Sequence, residues 1–280
     1  MIKKLYPQGK AKSFSVSYDD GVLQDVRFVN LLNQYGLKGT FNLNSGLMEN
    51  EFEWIHETGC IVKRLSKENV LSLYDGHEVA SHTLTHPFMQ EKTENEIMKE
   101  LETDKKNLEK LFGKQIKGFA VPFDYYSDLI ESCIKKCDFE YARISEESLS
   151  FVPHKNSEIN YHRWMSTIFH LDASLEKLTE DFIQTDEELA LFQIAGHTYD
   201  FDTENMWDKI ETILKKISLQ KDILPMTTIE IIDYLKAMEQ VEITERYIIN
   251  NSEQSLWFSV NEKICEVKAK SKFYFSKNDF

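Results

Sequence analysis

The segment Ser13–Gly21 reads SFSVSYDDG, and its first five residues form a short strand pattern. A helical pattern over Leu23–Tyr35 follows it, and the strand-like stretch GTFNLN begins at Gly39. The three pieces together predict a β-α-β unit. Such a unit is the usual start of a sheet in which neighbouring strands run parallel.

The same alternation of strand and helix continues along the chain as far as Met238. Further strand patterns are HEVAS from His77, GFAVP from Gly118, YARIS from Tyr141, LALFQIAG from Leu189 and ILPMT from Ile223. Helical patterns lie near residues 67–74, 127–136, 204–218 and 229–238, and an amphipathic one covers Glu94–Phe112 and ends at Gly113. Repeated strand–helix units predict an α/β fold with a parallel sheet, either doubly wound or closed as a barrel.

The pattern changes at about Glu242. Beyond it, RYIINNSEQSLWFSVN and KICEVKAKSKFYFS are typical of short antiparallel strands around an Asn-rich turn. We therefore expect two domains, a barrel over residues 1–240 and a small C-terminal β-strand appendage over residues 241–280.

Composition narrows the classes of partner. The chain has 33 basic and 47 acidic residues, a formal charge of −14, which repels phosphate backbones and anionic lipid surfaces. No stretch approaches the roughly 20 apolar residues of a membrane span. The first residues lack the pattern of a signal peptide, so we expect a cytoplasmic protein, or an extracellular one if a leader has been removed. The oligomeric state is left open.

Chemically reactive side chains follow three of the predicted strands. Asp19 and Asp20 follow the first strand, His82 and His86 follow HEVAS, and His197 follows LALFQIAG. Two neutral imidazoles and a carboxylate are a normal ligand set for Zn²⁺ and similar ions. Adjacent carboxylates at a strand end point to opposite sides of the chain, so one can bind metal while the other acts as a base. The pattern predicts a metallohydrolase site.

The motifs SVSYDDG, SHTLTHP and the later AGH resemble the three best-marked motifs of the polysaccharide deacetylase family, also called the NodB-homology fold. The resemblance covers about Ser13 to Met238 and implies a distorted (β/α) barrel. It also implies that Asp20, His82 and His86 bind one divalent metal ion. Zinc is the first expectation for this ion, with cobalt, manganese or nickel as alternatives.

The resemblance implies roles for the remaining two residues as well. Asp19 would be the general base that takes a proton from water, and His197 would protonate the departing amine or alkoxide. The implied function is removal of N-acetyl or O-acetyl groups from a carbohydrate. The expected substrate is an acetylated oligo- or polysaccharide or a small acetylated sugar.

One family motif departs from its usual form. The third motif usually reads Arg-x-Pro-Phe/Tyr-Gly, whereas this chain has Ala120-Val121-Pro122-Phe123-Asp124. Ala120 cannot supply the arginine that orients the base. We therefore expect Arg143, in the following strand pattern YARIS, to replace that arginine.

By the same resemblance, Pro122, Phe123 and Trp164 are expected substrate contacts. Tyr125 is a further expected contact, because it lies near a strand end, where it could bond sugar hydroxyls. Trp164 would form a wall of the acyl pocket in place of the family's Asp-Trp motif, which this sequence does not show. Core packing explains Trp164 equally well, and a turn or cap role explains Tyr125 equally well.

Two other functions compete with carbohydrate deacetylation. The same metal site could hydrolyse a small amide or imide, because fold analogy does not fix the substrate. From a different class, the chain could be a non-catalytic sugar-binding relic. The complete set of Asp19, Asp20, His82, His86 and His197 weighs against a relic, since losing any one of them would inactivate the site.

Overall fold

The protein is described by a computed structural model that covers residues 2–48, 52–153 and 159–275. Its strands are β1 Ile2–Leu5, β2 Lys12–Asp19, β3 Thr40–Leu43, β4 Glu53–Ile55, β5 Ile61–Lys63, β6 Glu78–Ser81, β7 Gly118–Ala120, β8 Tyr141–Glu147, β9 Trp164–Ser166, β10 Ile168–Phe169, β11 Ala190–His197, β12 Ile223–Pro225, β13 Val241–Ile243, β14 Tyr247–Asn250, β15 Leu256–Val260, β16 Lys263–Val267 and β17 Ser271–Tyr274. Its helices are α1 Asp25–Gln34, α2 Lys67–Leu73, α3 Glu94–Phe112, α4 Asp128–Lys136, α5 Leu175–Gln184, α6 Asp200–Thr203, α7 Trp207–Ser218 and α8 Thr228–Met238. Within the described ranges, every helix falls short of the length or the apolarity that a membrane crossing requires.

Parallel strands form the main sheet in the order β10-β11-β2-β3-β6-β7-β8-β9, and β12 lies beside the first half of β2. β9 pairs with β8, whereas β10, separated from β9 only by Thr167, pairs with β11. The extended segment 164–169 thus belongs to both ends of the sheet and closes it into a distorted barrel. The α/β fold predicted from the strand–helix alternation is confirmed, and the closure favours the barrel over the open sheet.

β2 is buried along its whole length, and its two faces differ in chemistry. Phe14 and Tyr18 belong to the large apolar cluster under the helices, where the Tyr18 ring lies 4.5 Å from that of Phe28 in α1. The alternate residues Ser15 and Ser17 face the barrel interior, since successive side chains of a strand point to opposite faces. β2 is therefore a central strand between an apolar outer layer and a polar interior.

A hydrogen-bonded polar layer occupies the barrel interior. Gln193 of β11 accepts a hydrogen bond from the indole Nε1 of Trp164 at 2.7 Å, and its amide donates to Thr228 Oγ1 at 2.9 Å. The Thr228 and Thr40 hydroxyls are 2.8 Å apart, and Thr40 donates to Glu78 at 2.8 Å. Buried polar groups require such partners, and these bonds link β9 and β11 to β3 and β6 through Thr228 at the start of α8.

Helix α3 shows how local sequence sets the element bounds. At its start, Thr93 and Glu96 form a capping box in which each side chain bonds the other residue's backbone N–H. At its end, Gly113 has φ 64°, a left-handed conformation that glycine adopts at little cost. The predicted bounds Glu94–Phe112 are confirmed.

The strands after residue 240 form two small antiparallel sheets, β1-β15-β16 and β13-β14-β17. The predicted antiparallel strands are present, but one of the two sheets also includes β1 from the start of the chain. Tyr234 joins α8 of the barrel to the sheet β1-β15-β16. Its hydroxyl donates to the Leu5 carbonyl at 2.6 Å and accepts from Trp257 N at 3.0 Å. A second apolar cluster, with Tyr6 and Phe258 among its members, surrounds this connection. The division into two domains at residue 240 stays a prediction.

The Tyr234 hydroxyl provides a test of this connection. In Tyr234→Phe, the buried Leu5 carbonyl loses a donor and Trp257 N loses an acceptor, so we expect the free energy of unfolding to fall by about 1–3 kcal/mol. Denaturant titration measures the change. Tyr35→Phe is the matched control, because the Tyr35 hydroxyl bonds Glu211 at 2.9 Å in a half-buried position. Equal losses in the two variants would contradict a connecting role for Tyr234.

Candidate active site

The carboxyl ends of β2, β6 and β11 meet at one mouth of the barrel. Asp19 ends β2, and its register partner on β11 is His197. His82 directly follows β6. The ligand atoms of Asp20, His82 and His86 all lie within 4.8 Å of one another. The structure thus brings the acids and histidines that the sequence analysis selected to one place.

The ligand set of Asp20, His82 and His86 fits a divalent cation. Asp20 Oδ1 lies 3.8 Å from His82 Nε2 and 3.7 Å from His86 Nε2. His82 Nδ1 donates to the Ala120 carbonyl at 2.9 Å, so its Nε2 keeps a lone pair that faces Asp20. Burial lowers the pKa of His82 to about 4, and the ring is therefore neutral at pH 7. Asp20 Oδ1 is buried, and its contact with Arg64 Nη2 at 2.9 Å is an ion pair without hydrogen-bond geometry, so the oxygen keeps lone pairs for a metal ion.

The backbone around these ligands adopts unusual conformations. Asp20, Thr83 and His86 have φ values of 86°, 70° and 52°, which non-glycine residues rarely adopt. Asn44 Nδ2 donates to the carbonyls of His82 and Thr83, the second at 2.9 Å, and so fixes the loop after β6. Strained residues of this kind persist where the surrounding structure holds them, often at functional sites.

Asp19 is paired with the buried guanidinium of Arg143. Arg143 is the register partner of Ala120, so the guanidinium comes from the strand beside the one that carries alanine. Asn42 Nδ2 donates to the other Asp19 oxygen at 2.8 Å. Burial raises the pKa of Asp19, but the charges of Arg143 and the nearby histidines outweigh burial and hold that pKa below its usual value. Asp19 is therefore ionised at neutral pH.

A second buried arginine, Arg64, is paired with Asp20, and the sequence analysis missed it. Its Nη2 lies 2.9 Å from Asp20 Oδ1, and its Nη1 donates to the Asp20 carbonyl and, at 2.6 Å, to Asn44 Oδ1. Arg64 directly follows β5 and forms an isolated β-bridge with Val22. The stretch IVKRL around Arg64 carries no motif, so the sequence holds no signal for this contact.

Asp200 lies between two histidines. Its Oδ2 is 3.4 Å from His197 Nδ1 and 3.2 Å from His170 Nε2. Burial lowers the pKa of His197, but the bond to Asp200 and the charges of the nearby acids outweigh burial and raise that pKa above its usual value. His197 therefore keeps its proton better than a free histidine. The sequence analysis did not select Asp200, although its position three residues after His197 was a usable signal.

Apolar rings border the ligand set beside His86. Phe123 meets the His86 ring edge-on at 4.5 Å and stacks on Phe88 at 4.0 Å. Pro122 is buried and Tyr125 is 43% exposed. Of the expected substrate contacts, Phe123 has a ring in contact with His86, one of the three candidate metal ligands.

Trp164 lies deeper in the barrel. It is 3% exposed, and its indole bonds Gln193, which precedes His197 on β11 by four positions. Core packing, the second explanation considered for this residue, describes these contacts.

The sequence profile of the polysaccharide deacetylase family matches residues 7–142. The uncharacterized protein YlxY of Bacillus subtilis (strain 168) is 28% identical over 92 residues, which are 33% of this chain and 24% of that protein. The match thus spans about a quarter of the length of this curated relative.

Solved structures share the fold. A putative polysaccharide deacetylase from Mycobacterium smegmatis superposes with a TM-score of 0.60 at 12% identity, over 85% of this chain and 94% of that one. BA3943 from Bacillus anthracis, a CE4 family pseudoenzyme, superposes with a TM-score of 0.51 at 16% identity, over 82% of this chain and 68% of that one. At these identities the likeness concerns the fold alone.

Gly196 packs against His170, the partner of Asp200, and substitution of this glycine tests that packing. Its φ is 148°, and an added Cβ would lie 2.1 Å from His170 Nδ1. Gly196→Ala should therefore lower the free energy of unfolding by roughly 2–5 kcal/mol, from backbone strain and overpacking together. Gly36→Ala is the control, since its φ is 64° but no atom lies within 4 Å of the added Cβ, and it should cost about 1 kcal/mol.

Denaturant titration of both alanine variants measures this difference. In a His170→Ala background, Gly196→Ala should cost less than it does in wild type, because the clash is absent and only the backbone strain remains. A Gly196→Ala protein as stable as Gly36→Ala would contradict the close packing of Gly196 on His170.

Proposed function

Because residues 7–142 match the sequence profile of the polysaccharide deacetylase family, we propose that this protein is a metal-dependent hydrolase that removes N-acetyl or O-acetyl groups from a carbohydrate. One observation carries the proposal: the ligand atoms of Asp20, His82 and His86 lie within 4.8 Å of one another beside a second, ionised carboxylate, Asp19. A metal site beside a carboxylate base is an arrangement that suits metal-assisted hydrolysis of an acyl group.

The proposed cofactor is one divalent ion bound by Asp20, His82 and His86. Zinc suits two neutral imidazoles and a carboxylate, and cobalt, manganese or nickel are alternatives. Such an ion would polarise the acetyl carbonyl and make the attacking water more acidic.

Asp19 is the proposed general base. Its carboxylate is ionised, and its Oδ2 lies 4.0 Å from His82 Nε2, beside the proposed metal ligands. Arg143 and Asn42 bond the Asp19 oxygens and keep the carboxylate in one orientation. A positioned base of this kind takes the proton from water as the water attacks the acetyl carbon.

His197 is the proposed general acid. It lies across the register from Asp19, and about a third of its side chain is exposed, so a substrate at the mouth can reach it. The pKa of His197 is raised above its usual value, which favours the protonated ring, and Asp200 lies beside its Nδ1, which leaves Nε2 to give a proton to the departing amine or alkoxide. In the same reaction, Asp19 would thus accept a proton and His197 would donate one.

Pro122, Phe123 and Tyr125 are the proposed substrate contacts at the rim. The stacked rings of Phe123 and Phe88 offer an apolar surface beside His86 for the acetyl methyl or a sugar face. Trp164 stays in the proposal only as packing below Arg143, its register partner.

Two other functions compete with carbohydrate deacetylation, and the experiment described next distinguishes them. A small amide or imide could be hydrolysed by the same residues, which act on the acyl carbon and the leaving group alone. A non-catalytic sugar-binding protein is the third outcome, and BA3943 is a pseudoenzyme with a similar fold. The retained base, acid and ligand set favours catalysis over that outcome.

Acetate release is the test of the proposed function. The purified chain with added Zn²⁺, Co²⁺ or Mn²⁺ should release acetate from N-acetylglucosamine oligomers or acetylated xylo-oligomers. Asp19→Asn should keep its metal but lose at least ~10²-fold in rate, the usual scale for a positioned base. Metal binding without acetate release from any of these substrates would contradict carbohydrate deacetylation and favour the small-amide function.

Arg143 gives a prediction on pH dependence. Arg143 lowers the pKa of Asp19, so Arg143→Ala should raise that pKa. Because the base works only when ionised, the acid limb of the pH–rate profile should move to higher pH, and the rate at low pH should fall while metal content stays the same. Arg143→Lys should restore only part of the rate, since an ammonium lacks the bidentate fork of a guanidinium.

The control for this prediction is Arg163→Ala, which removes an exposed arginine packed on Tyr126. It should leave the pH–rate profile unchanged. If Arg143→Ala gave the same rate and the same acid limb as Arg163→Ala, Arg143 would have no part in orienting or ionising the base.

A further inference from the structure

The guanidinium of Arg64 contacts the same oxygen of Asp20 that faces the two histidines. Arg64 Nη2 is 2.9 Å from Asp20 Oδ1. That oxygen is also the one 3.8 Å from His82 Nε2 and 3.7 Å from His86 Nε2. A cation bound by this ligand set would therefore share its carboxylate oxygen with an arginine.

Arg64 is held in this position from several directions. It is 4% exposed, and the Trp54 ring lies 5.2 Å from the guanidinium carbon. Its Nη1 donates to the Asp20 carbonyl and to Asn44 Oδ1, and its backbone N–H donates to the Phe52 carbonyl at 2.8 Å. Moving the guanidinium away would leave buried polar groups without partners, which is costly. The arginine is thus a fixed part of the site.

The charges of the site follow from these contacts. Asp20 contributes one negative charge, and Arg64 cancels it. An imidazole binds a metal ion in its neutral form, so the ligand set together with Arg64 has no net charge to attract a cation. A divalent ion and a guanidinium on one carboxylate oxygen also repel each other, and little solvent screens them at a buried position.

We propose that Arg64 is an internal counter-ion of the metal site, which competes with the metal ion for Asp20 and weakens its binding. This inference rests on the proposed function, because it takes Asp20, His82 and His86 as the metal ligands. Arg64 neutralises the buried Asp20 carboxylate before metal is taken up, and it makes the bound ion easier to exchange.

The opposite role, in which Arg64 supports Asp20 and strengthens metal binding, is also chemically reasonable. Groups that hydrogen-bond a metal ligand often support it, and removing them usually weakens metal binding by about 10–100-fold. For Asp20, however, other bonds hold the chain in place: its own N–H donates to the Asn42 carbonyl at 3.0 Å, and Leu65 N donates to the Gly21 carbonyl at 2.8 Å. Because the backbone is held without the guanidinium, we expect the effect of its charge to exceed its effect as a support.

Zinc affinity, measured by competition with a chelator, separates the two roles of Arg64. Removing a competing counter-ion should raise the affinity, whereas removing a support should lower it. Arg64→Gln and Arg64→Met remove the charge, and we expect both to bind zinc at least ~10-fold more tightly than the wild-type chain. Arg64→Lys keeps the charge and should stay close to wild type. Arg143→Met is the matched control: it removes a guanidinium from Asp19, which is not a ligand, and should change zinc affinity less.

Thermal unfolding of the full chain gives a second readout. Without metal, the neutral variants should melt at a lower temperature than wild type, because the buried Asp20 charge has lost its partner. Zinc should raise their melting temperature by more than it raises that of wild type, since stabilisation grows with ligand concentration over Kd. A neutral variant that folds only with zinc also supports the proposal, because the ion then replaces the missing charge.

Unchanged or weaker zinc binding in folded Arg64→Gln and Arg64→Met would overturn the counter-ion role. So would Arg64→Lys binding as tightly as the neutral variants, or neutral variants that stay unfolded even with zinc. A wild-type chain that binds no divalent ion would overturn the proposed function itself. Zinc binding by wild type that is unimproved in the neutral variants would overturn the role of Arg64 alone.

Discussion

Two adjacent carboxylates, Asp19 and Asp20, are buried side by side at the end of β2, each 5% exposed. Burying an ion costs several kcal/mol unless it is paired and hydrogen-bonded. Each acid has its own arginine, Arg143 from β8 and Arg64 from the residue after β5. The separate pairing keeps both acids ionised and lets them differ in role, since one faces the histidines and the other lies beside them.

The parallel sheet makes this pairing possible. Parallel strands bring their carboxyl ends to one edge, and the register of β2 with β11 puts His197 opposite Asp19. The register of β7 with β8 puts Arg143 opposite Ala120, so the guanidinium that pairs with Asp19 comes from the strand beside the one that carries the alanine. Deeper in the barrel than these residues, Trp164, Gln193 and Thr228 are joined by hydrogen bonds. This polar layer supports the mouth of the barrel from below.

Local features of the fold and site could be predicted from the sequence, whereas contacts between distant segments could not. Strand–helix alternation was enough to predict an α/β fold with a parallel sheet, and the family resemblance implied the barrel. The positions of acids and histidines after strand patterns were enough to select residues at its mouth. Arg64 lies 44 positions from Asp20 on a hairpin of very short strands, where no periodicity or motif marks it. Asp200 was missed because an aspartate at the start of a short helix is usually only a helix-terminal residue. The pairing of β1 with β15 joins the two ends of the chain, and no local pattern specifies such a partner.

The central claim of this account is that Asp20, His82 and His86 together hold one divalent ion. Elemental analysis after equilibration with zinc and removal of the free ion tests it, with wild type, His86→Ala and the control His162→Ala prepared in parallel. The account predicts about one zinc per chain in wild type and in the control, and far less in His86→Ala, because the remaining pair lacks the geometry for tight binding. Full stoichiometric zinc in His86→Ala would contradict it.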